Sequence, residues 1–335
     1  MNRTSKLFAA GLGALLFSLG AMAQGPVAHY QKSDNPLSGE LRFDKKGQFK
    51  IVQFTDVHFC LGNPKSDIAL ERIKEVIKFE KPDMVVFTGD VVYQAPAVEG
   101  MKTVLSIVSG AKIPFAVCFG NHDKEFDATN EQMYDMIRSL PYNLHPDRCA
   151  SEVPDFDLSV KGKDGKEKVV LYCIDSHSYN WTDKYYEWIT DEQIAAYRKA
   201  SAAHTEANGG VPVPSLAFFH IPFPEFGIAA SNQGAHLVGT RKEVCCCPDH
   251  NSGMFSTMKE CGDMKAVFVG HDHDDDYAVM WDGILLCYGR YTGGDTVYNN
   301  LSNGARVILL NEDGKLDTWI TLKGGRRINE VSIAL

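Results

Sequence analysis

The segment AVFVGHDHDDDY, residues 266–277, places two histidines and four aspartates directly after a short apolar run. An apolar run of this length that stops at a glycine is typical of a strand buried on both faces. Imidazole and carboxylate groups are side chains that bind divalent metal ions such as zinc and manganese. The segment therefore predicts a buried strand that ends, at His271 and His273, in a metal site.

Four earlier segments end an apolar run in the same manner. Their polar residues are Asp56 and His58 in FTDVHF, Asp90 in FTGDVVY, Asn121 and His122 in FGNHD, and His220 in FFHIPFP. Loops at the carboxyl ends of strands are where α/β sheets build their binding sites, so the five segments can converge on one crevice. A single histidine of this kind is more often structural, whereas five such strand ends indicate a common site.

The rest of the chain alternates strand-like and helix-like segments. Helices are predicted at residues 67–79, 98–109 and 191–203. Short apolar runs predict strands at residues 49–59, 84–90, 115–123, 169–175, 216–220, 266–273, 277–290, 305–311 and 316–323. This alternation predicts an α/β sandwich whose C-terminal half is richer in strands.

Residues 1–23, MNRTSKLFAAGLGALLFSLGAMA, have the order of a bacterial secretory signal peptide. Two basic residues precede an apolar stretch, and Ala-Met-Ala at residues 21–23 supplies the small residues of a cleavage site. The apolar run at residues 7–19 is too short to span a bilayer. We therefore expect a periplasmic or secreted protein without a membrane anchor in its mature form.

The mature chain, residues 24–335, is predicted to form a single domain, because no proline-rich or serine-rich linker, repeat or low-complexity run divides it. Removal of the signal peptide takes away two basic residues and no acidic ones, which changes the formal net charge from −9 to −11. This acidic balance argues against general nucleic-acid binding and leaves only a local basic cleft open.

Nine cysteines are present without a CxxC pair, and an odd number cannot pair completely within one chain. The run Cys245-Cys246-Cys247 is compatible with a soft-metal or redox site. No second cluster accompanies this run at the spacing of a zinc site. A disulfide from this loop to Cys261 is therefore the favoured interpretation.

The types of candidate ligand narrow the choice of metal. Carboxylate, imidazole and amide ligands together suit zinc, manganese or iron, and one carboxylate can bridge two ions. Two ions about 3.5–4 Å apart can hold a hydroxide nucleophile and neutralise a phosphoryl group during attack. Gly89, Gly120 and Gly270 each stand immediately before a candidate ligand, where a tight backbone turn is useful.

The ordered set D-x-H, G-D, G-N-H-D, H and G-H-x-H, from residue 56 to residue 273, resembles the calcineurin-like metallophosphoesterase superfamily. The segments FKIVQFTDVHF, FFHIPFPEF and GHDHDDDY are similar to the branch that includes plant purple-acid-phosphatase-like proteins and a yeast cell-cycle-regulator phosphatase. The resemblance implies one domain, residues 24–335, with an α/β fold: a four-layer α/β/β/α sandwich with two central mixed sheets.

The resemblance also implies a role for each residue of the motifs. The first metal ion would be bound by Asp56, His58, Asp90 and His273. The second would be bound by Asp90, Asn121, His220 and His271, which makes Asp90 the bridging ligand. His122, adjacent to a ligand but itself free of metal, would approach the phosphoryl group of the substrate or its leaving group.

One departure from the purple acid phosphatases concerns Tyr93. Those enzymes have D-x-G in the first motif and a G-D-x-x-Y tyrosine that binds ferric iron, whereas here His58 fills the first motif and Tyr93 keeps the tyrosine spacing. The two side chains cannot readily share one coordination position. We expect His58 to be the ligand and Tyr93 either to lie behind the ligands and support them or to pack beside them, so an obligatory ferric ion is not expected.

Several further residues have two interpretations each. Arg290 can bind phosphate or form an internal salt bridge. The aspartates at 272 and 274–276 can attract cations, although we expect most of them to be solvated or bonded to backbone. The aromatic residues at 179–188 can form a lip for the substrate, although packing at the start of a helix is the safer interpretation.

The sequence thus predicts an exported enzyme with two metal ions, from zinc, manganese or iron, that hydrolyses phosphate monoesters or diesters through a metal-activated hydroxide. Its substrate would be a small phosphoester or a phosphoprotein. The motifs G-x-x-x-x-G-K-[ST] and G-x-S-x-G are both missing, which argues against a nucleotide-driven protein and a serine esterase. A non-catalytic phosphate-binding or metal-binding module of the same fold is the alternative, and a thiol redox protein is the third.

The signal-peptide prediction is tested by N-terminal sequencing of the protein from its native cell envelope. We expect the mature chain to begin at or near Gln24, because signal peptidases cleave after small residues such as Ala23. A cytoplasmic protein that still begins at Met1 would contradict the prediction and remove the case for disulfides.

Overall fold

The structure is a computed structural model that describes residues 27–29, 40–148, 154–180, 182 and 185–335. The predicted signal peptide, residues 1–23, lies outside the described residues and stays a prediction. None of the described helices combines the length and the apolar character needed to cross a membrane.

The described residues form strands and helices that alternate through most of the chain. In chain order they are β1 (Val27–His29), β2 (Gln48–Phe54), α1 (Pro64–Glu80), β3 (Met84–Thr88), α2 (Ala97–Gly110), β4 (Phe115–Cys118), α3 (Asn130–Ser139), β5 (Asp155–Lys161), β6 (Glu167–Cys173), β7 (Tyr179–Asn180), β8 (Tyr185–Tyr186), α4 (Asp191–Ala207), β9 (Ser215–Phe218), α5 (Glu225–Ser231), β10 (Leu237–Val238), α6 (Met254–Cys261), β11 (Met264–Val269), β12 (Ala278–Trp281), β13 (Ile284–Tyr288), β14 (Gly304–Asn311), β15 (Lys315–Leu322) and β16 (Arg327–Ala334).

Two large mixed sheets form the centre of the molecule. The six-stranded sheet has the order β16-β15-β14-β2-β3-β4, and its strands β2, β3 and β4 are parallel. The eight-stranded sheet has the order β1-β5-β6-β9-β11-β13-β12-β10, and β6, β9, β11 and β13 are parallel. β7 and β8 form a separate two-stranded hairpin. The parallel strands of each sheet therefore end at one common edge.

The two sheets pack face to face because their central strands are apolar on both sides. In β3, Met84 and Val86 point into the layer between the sheets, whereas Val85 and Phe87 point to the opposite face. β9 and β11 alternate in the same way and contribute Phe218 and Phe268 to the layer between the sheets. This period of two is the one expected for strands covered on both faces.

Helices cover the outer face of each sheet. α1, α2 and α3 pack on the six-stranded sheet in one apolar cluster, and α4, α5 and α6 pack on the eight-stranded sheet in another. The layers therefore run helix, sheet, sheet, helix, which confirms the predicted four-layer α/β/β/α sandwich with two mixed sheets. The predicted helices and strands agree with the observed ones, except that the strands end before the candidate ligands and that residues 277–290 form two antiparallel strands, β12 and β13.

Two segments without a predicted helix or strand, residues 124–165 and 221–252, contain the additional elements α3, β5, α5 and β10. α3 has the sequence NEQMYDMIRS and buries only Met133, Tyr134 and Ile137. So short an apolar face is a weak periodic signal. Its N-terminus nevertheless has a capping box, in which Thr129 and Gln132 bind each other's backbone N–H groups. That box was the available sequence signal.

A buried guanidinium joins the two sheets. Arg306 of β14 is fully buried and donates hydrogen bonds to the carbonyls of Tyr288 at 2.6 Å and Asp276 at 2.7 Å. It also donates to the hydroxyl of Thr318 at 3.1 Å. Tyr288 belongs to the eight-stranded sheet and Thr318 to the six-stranded sheet, so this side chain fixes their relative position with satisfied hydrogen bonds.

A second polar contact holds α4 on its sheet. The imidazole of His204 lies 3.0 Å from Asp157 of β5 through Nε2 and 2.8 Å from Glu167 of β6 through Nδ1. Burial lowers the pKa of His204, but its hydrogen bonds to these two carboxylates outweigh that effect and raise the pKa to about 9. His204 is therefore protonated at neutral pH and anchors the helix as a cation.

Because His204 is charged in this ion pair, we expect part of the free energy of unfolding to depend on pH. The pKa of His204 in the folded protein lies above its unfolded value of about 6.5. Its contribution to the free energy of unfolding is therefore complete below about pH 6.5 and is lost as the pH rises through about 9. We expect urea unfolding to show a wild-type advantage over His204→Gln of about 1–2 kcal/mol at pH 6, and little at pH 10. A difference between the two proteins that does not change with pH would contradict this assignment.

Candidate metal centre

Polar residues from both sheets meet at the carboxyl ends of parallel strands. The residues follow β2, β3 and β4 in the six-stranded sheet and β9 and β11 in the eight-stranded sheet. The structure brings together all the predicted ligands, and each of them is buried: Asp56, His58, Asp90, Asn121, His220, His271 and His273. The crevice therefore lies at the common edge of the two sheets, where α/β folds build their sites.

The first group of candidate ligands contains Asp56, His58 and His273, whose ligand atoms lie within 4.8 Å of one another. His273 Nε2 is 3.7 Å from Asp56 Oδ1. His58 Nε2 is 3.4 Å from Oδ2 of Asp90, which adds a fourth possible ligand. Two carboxylates and two imidazoles can hold one borderline or hard metal ion.

The second group contains Asp90, His220 and His271, which satisfy the same 4.8 Å limit. His220 Nε2 is 3.1 Å from Asp90 Oδ2 and 3.1 Å from Asn121 Oδ1. The same carboxylate oxygen thus lies near His58 in one group and near His220 in the other. Asp90 is positioned to bridge two ions, as a shared carboxylate does in dinuclear sites.

Backbone carbonyls fix the orientation of two imidazoles. His220 Nδ1 donates to the carbonyl of Thr88 at 2.8 Å, and His273 Nδ1 donates to the carbonyl of Tyr298 at 2.9 Å. When the imidazole is neutral, each bond selects the tautomer whose Nε2 lone pair faces the cluster. Asn121 is fixed in a similar way, because its Nδ2 donates to the hydroxyl of Tyr179 at 2.9 Å and leaves Oδ1 for the site.

Unpartnered nitrogens support the presence of a metal. Both ring nitrogens of the fully buried His58 and Nε2 of His271 have no hydrogen-bond partner among the described residues. A buried polar atom without a partner costs free energy, and a metal ion at this position would remove that cost for a ligating nitrogen. The donor set and these nitrogens therefore fit the two ions that the sequence predicts.

Charge coupling within the second group favours the carboxylate form of Asp90. Burial raises the pKa of Asp90, but the charge and hydrogen bond of His220, together with the nearby imidazole of His58, outweigh it and hold the pKa well below its usual range. Asp90 in turn raises the pKa of His220 against the effect of burial. A metal ion that binds His220 therefore has to displace a proton.

The backbone around the site is strained at several ligands. Asp56, His58, Asp90 and His271 have positive φ angles of 52°, 46°, 52° and 82°. Residues with a side chain rarely adopt this conformation, and each instance costs roughly 1–3 kcal/mol. Such strain persists only where surrounding contacts enforce it, which is a feature of functional sites.

Asp123 makes several of the contacts that hold this backbone in place. Its carboxylate accepts the backbone N–H groups of Asp90, Val91, Val92 and Gly120 at 2.8–3.1 Å. Burial, together with the negative charge of Asp90, raises the pKa of Asp123 to about 6. The sequence contains this residue in the GNHD motif, but motif order alone did not distinguish a carboxylate that organises backbone from a ligand.

The glycines that precede ligands are required for space more than for turns. A Cβ on Gly120 would collide with the Asp90 carboxylate, and one on Gly270 would collide with the hydroxyl of Thr55. Gly89 combines both requirements, since its φ is +86° and a Cβ would lie 2.5 Å from His220 Nδ1. The ligand loops therefore approach one another closely enough to exclude any side chain at these positions.

Other residues with two interpretations are now assigned. Arg290 forms an ion pair with Asp276 and donates from Nε to the carbonyl of Ser302 at 2.7 Å, which is the internal salt bridge. The aspartates at 272 and 274–276 are buried, so of the two expected alternatives, solvation or bonding to backbone, the structure shows the second. They accept backbone N–H groups, as Asp275 does from Lys242 at 2.7 Å, and thereby hold the neighbouring loop.

The expected disulfide is absent from the described residues. Their eight cysteines are all unpaired, and the thiol of Cys245 accepts a hydrogen bond from Tyr288 at 3.4 Å rather than meeting Cys261. The groups of described side chains that could hold a metal contain no cysteine. The ninth cysteine, Cys149, lies outside the described residues.

His122 lies beside the candidate ligands, as the sequence predicts. Its backbone N–H donates to Asp90 Oδ1 at 2.8 Å, and its ring comes within the 4.8 Å limit of Asp90 and His58. Its Nδ1 is 2.5 Å from the carboxylate of Glu125, a contact that sequence analysis missed. Tyr93 packs edge-on against His58 at 5.2 Å between ring centroids, which is the packing role expected for it.

The chain is similar to a known family and to several known proteins. The family model of calcineurin-like phosphoesterases matches residues 49–275. The chain is 32% identical over 293 residues to "Probable inactive purple acid phosphatase 14" of Arabidopsis thaliana, a match that covers 76% of this chain and 73% of that protein. It is 30% identical over 325 residues to phosphatase DCR2 of Saccharomyces cerevisiae, which covers 83% of this chain and 54% of that protein.

A solved structure shares the fold. A dimetal phosphatase from Danio rerio is similar with a TM-score of 0.59 at 12% identity, covering 85% of this chain and 98% of that chain. At this identity the likeness supports the fold alone. The relatives confirm the predicted resemblance to plant purple-acid-phosphatase-like proteins and a yeast phosphatase.

The position of Asp90 predicts metal stoichiometry. Asp90→Ala removes the carboxylate next to both groups, so we expect it to lose both ions, whereas His58→Ala should weaken mainly one. Elemental analysis of each variant after loading with manganese and gel filtration measures the outcome, with circular dichroism as the folding control. An Asp90→Ala protein that keeps two tightly bound ions per chain would show that Asp90 is not a bridge.

Proposed function

The chain belongs to the calcineurin-like phosphoesterase family, and from this premise we propose that it is an exported, dinuclear metal-dependent phosphoesterase that hydrolyses phosphate monoesters or diesters. Its substrate is a small phosphoester or a phosphoprotein. The periplasmic or secreted location rests on residues 1–23, and the use of zinc, manganese or iron rests on the ligand types.

One observation carries the proposal: seven candidate ligands from five strand ends are buried around the shared carboxylate of Asp90. When bound, two ions at such a site supply an activated water as nucleophile and neutralise negative charge on the phosphoryl group. The chain itself supplies the fixed geometry. Positive φ angles and the Asp123 hydrogen bonds hold the ligands in place before any substrate binds.

His122 is the candidate for leaving-group chemistry. Its side chain is 21% exposed, so a substrate can reach it, while its backbone is fixed by Asp90. Glu125 binds Nδ1 and leaves Nε2 as the nitrogen available to the substrate. A protonated imidazole at this position can donate a proton to the departing oxygen, which typically contributes about 10²–10⁴-fold in rate.

The second candidate function is a non-catalytic module that binds phosphate or metal. The name of the Arabidopsis relative favours it, because that protein is called inactive. In this chain, however, the ligand set is assembled and His122 is accessible beside it. Hydrolysis of nitrophenyl phosphate, with and without added manganese, distinguishes the two functions when Asp90→Ala serves as the matched control. Turnover that is absent, or equal in the control, favours the binding module.

The role of His122 predicts a dependence on the leaving group. An alkyl alkoxide needs a proton in order to depart, whereas nitrophenolate is stable enough to leave without one. We therefore expect His122→Asn to lower kcat/KM for an alkyl phosphate about 10²-fold or more, and for nitrophenyl phosphate much less. Steady-state kinetics on metal-loaded protein provide the measurement, with unchanged metal content as the control.

Each other outcome has a defined meaning for His122. Equal losses on both substrates would favour electrostatic stabilisation of the phosphoryl oxygens over proton donation. No loss on either substrate would remove His122 from the mechanism.

A further inference from the structure

Aromatic rings from two separate loops contact His122. The ring centroid of Tyr93 lies 4.8 Å from that of His122, with an interplanar angle of 87°. The ring of Tyr179, from the β7–β8 hairpin, lies 5.9 Å from it at 66°. Phe126 extends the surface beside Tyr93 at 5.9 Å. The side chain assigned to the leaving group is thus bordered by aromatic surface.

These rings are fixed in place. Tyr179 accepts a hydrogen bond from Asn121 and stacks on Tyr186 with ring centroids 5.3 Å apart. Tyr186 in turn packs edge-on against His271 at 4.6 Å, so the hairpin rests on candidate metal ligands. Tyr93 also packs edge-on against the ring of His58. Rings held in this way lose little side-chain entropy when a ligand binds.

The rings also keep exposed surface, which distinguishes them from tyrosines that only pack. Tyr172, Tyr277 and Tyr288 are at most 1% exposed. Phe126 is 37% exposed, and Tyr93 and Tyr179 are partly exposed. The surface beside His122 is therefore available to a bound molecule. Aromatic faces prefer planar partners, through stacked or edge-to-face contact.

We propose that Tyr93, Phe126 and Tyr179 form a leaving-group subsite that selects phosphoesters in which a planar ring is attached close to the ester oxygen, as in benzyl phosphate. The proposal rests on the proposed function and specifies its substrate class. The ring must lie near the ester oxygen because Tyr93 and Tyr179 contact His122 directly and Phe126 adjoins Tyr93. A nucleoside 5′-phosphate, whose ribose separates base from ester oxygen, fits this subsite less well.

Two substrates isolate the contribution of planarity. Benzyl phosphate and cyclohexylmethyl phosphate both release a primary alkoxide of similar size, but only the first carries a planar ring. We expect wild-type kcat/KM to favour benzyl phosphate about tenfold, which corresponds to about 1.4 kcal/mol. The ratio of kcat/KM for benzyl phosphate to kcat/KM for cyclohexylmethyl phosphate should fall towards one in Tyr93→Leu and in Phe126→Leu. Because both substrates are measured on the same variant, a general loss of activity cancels in the ratio.

Control measurements separate the subsite from unrelated effects. Phe79→Leu changes an exposed aromatic residue in the last turn of α1, where its ring lies beside Gly325, and should keep the tenfold preference. A wild-type ratio near one, or a ratio that survives in both Tyr93→Leu and Phe126→Leu, overturns the subsite. The same ratio of kcat/KM values is measured for adenosine 5′-phosphate over ribose 5-phosphate. If that ratio is larger than the ratio for benzyl over cyclohexylmethyl phosphate, the ring is recognised further from the ester oxygen and the proposal is wrong.

A binding experiment keeps the test independent of turnover. Calorimetric titration of the metal-loaded protein with benzylphosphonate and cyclohexylmethylphosphonate should show about tenfold tighter binding of the planar compound. Tyr93→Leu should remove that difference. Equal affinities overturn the subsite even if nitrophenyl phosphate is hydrolysed, whereas a planar preference without any hydrolysis supports the subsite and overturns only the proposed catalytic function.

Discussion

The buried carboxylate of Asp90 is the constraint on which the site depends. Its Oδ2 lies 3.4 Å from His58, which follows a strand of the six-stranded sheet, and 3.1 Å from His220, which follows a strand of the other sheet. An ionised carboxylate in a buried position is costly unless nearby cations and hydrogen bonds compensate, so the two sheets must keep this spacing. Gly120 leaves room for the carboxylate, and Asp123 binds the backbone on either side of it. The geometry of the centre is therefore a property of how the sheets pack.

Much of this arrangement was predictable because the central strands are covered on both faces. Such strands consist of short unbroken apolar runs, as in Met84–Thr88, and a polar residue at the end of each run marks an edge of the sheet. What could not be predicted depends on contacts between segments distant in sequence. Asp123 has the chemistry of a ligand, and only its four backbone contacts reveal its organising role. Tyr179 lies in a two-residue strand, which is too short to give a periodic pattern.

The candidate site depends on how ordinary side chains are oriented rather than on unusual residues. His220 and His273 are common imidazoles whose direction is set by the carbonyls of Thr88 and Tyr298. His122 is held through its backbone by Asp90, so the residue proposed to meet the substrate is anchored by a candidate metal ligand. We therefore expect a change at Asp90 to alter both the set of candidate ligands and the position of His122. The word inactive in the name of a relative cannot simply be transferred to a chain that retains this set.

The positive φ angles at Asp56, His58, Asp90 and His271 have a consequence for the stability of the protein. Each ligand gives up roughly 1–3 kcal/mol of stability to hold its conformation. Replacement of Asp56, Asp90 or His271 by glycine would relieve that strain but remove a candidate ligand, so stability and metal binding are expected to change in opposite directions. The four side chains thus set a trade-off between stability and the candidate site, because the backbone conformation that directs them into it is one that a residue with a side chain rarely adopts.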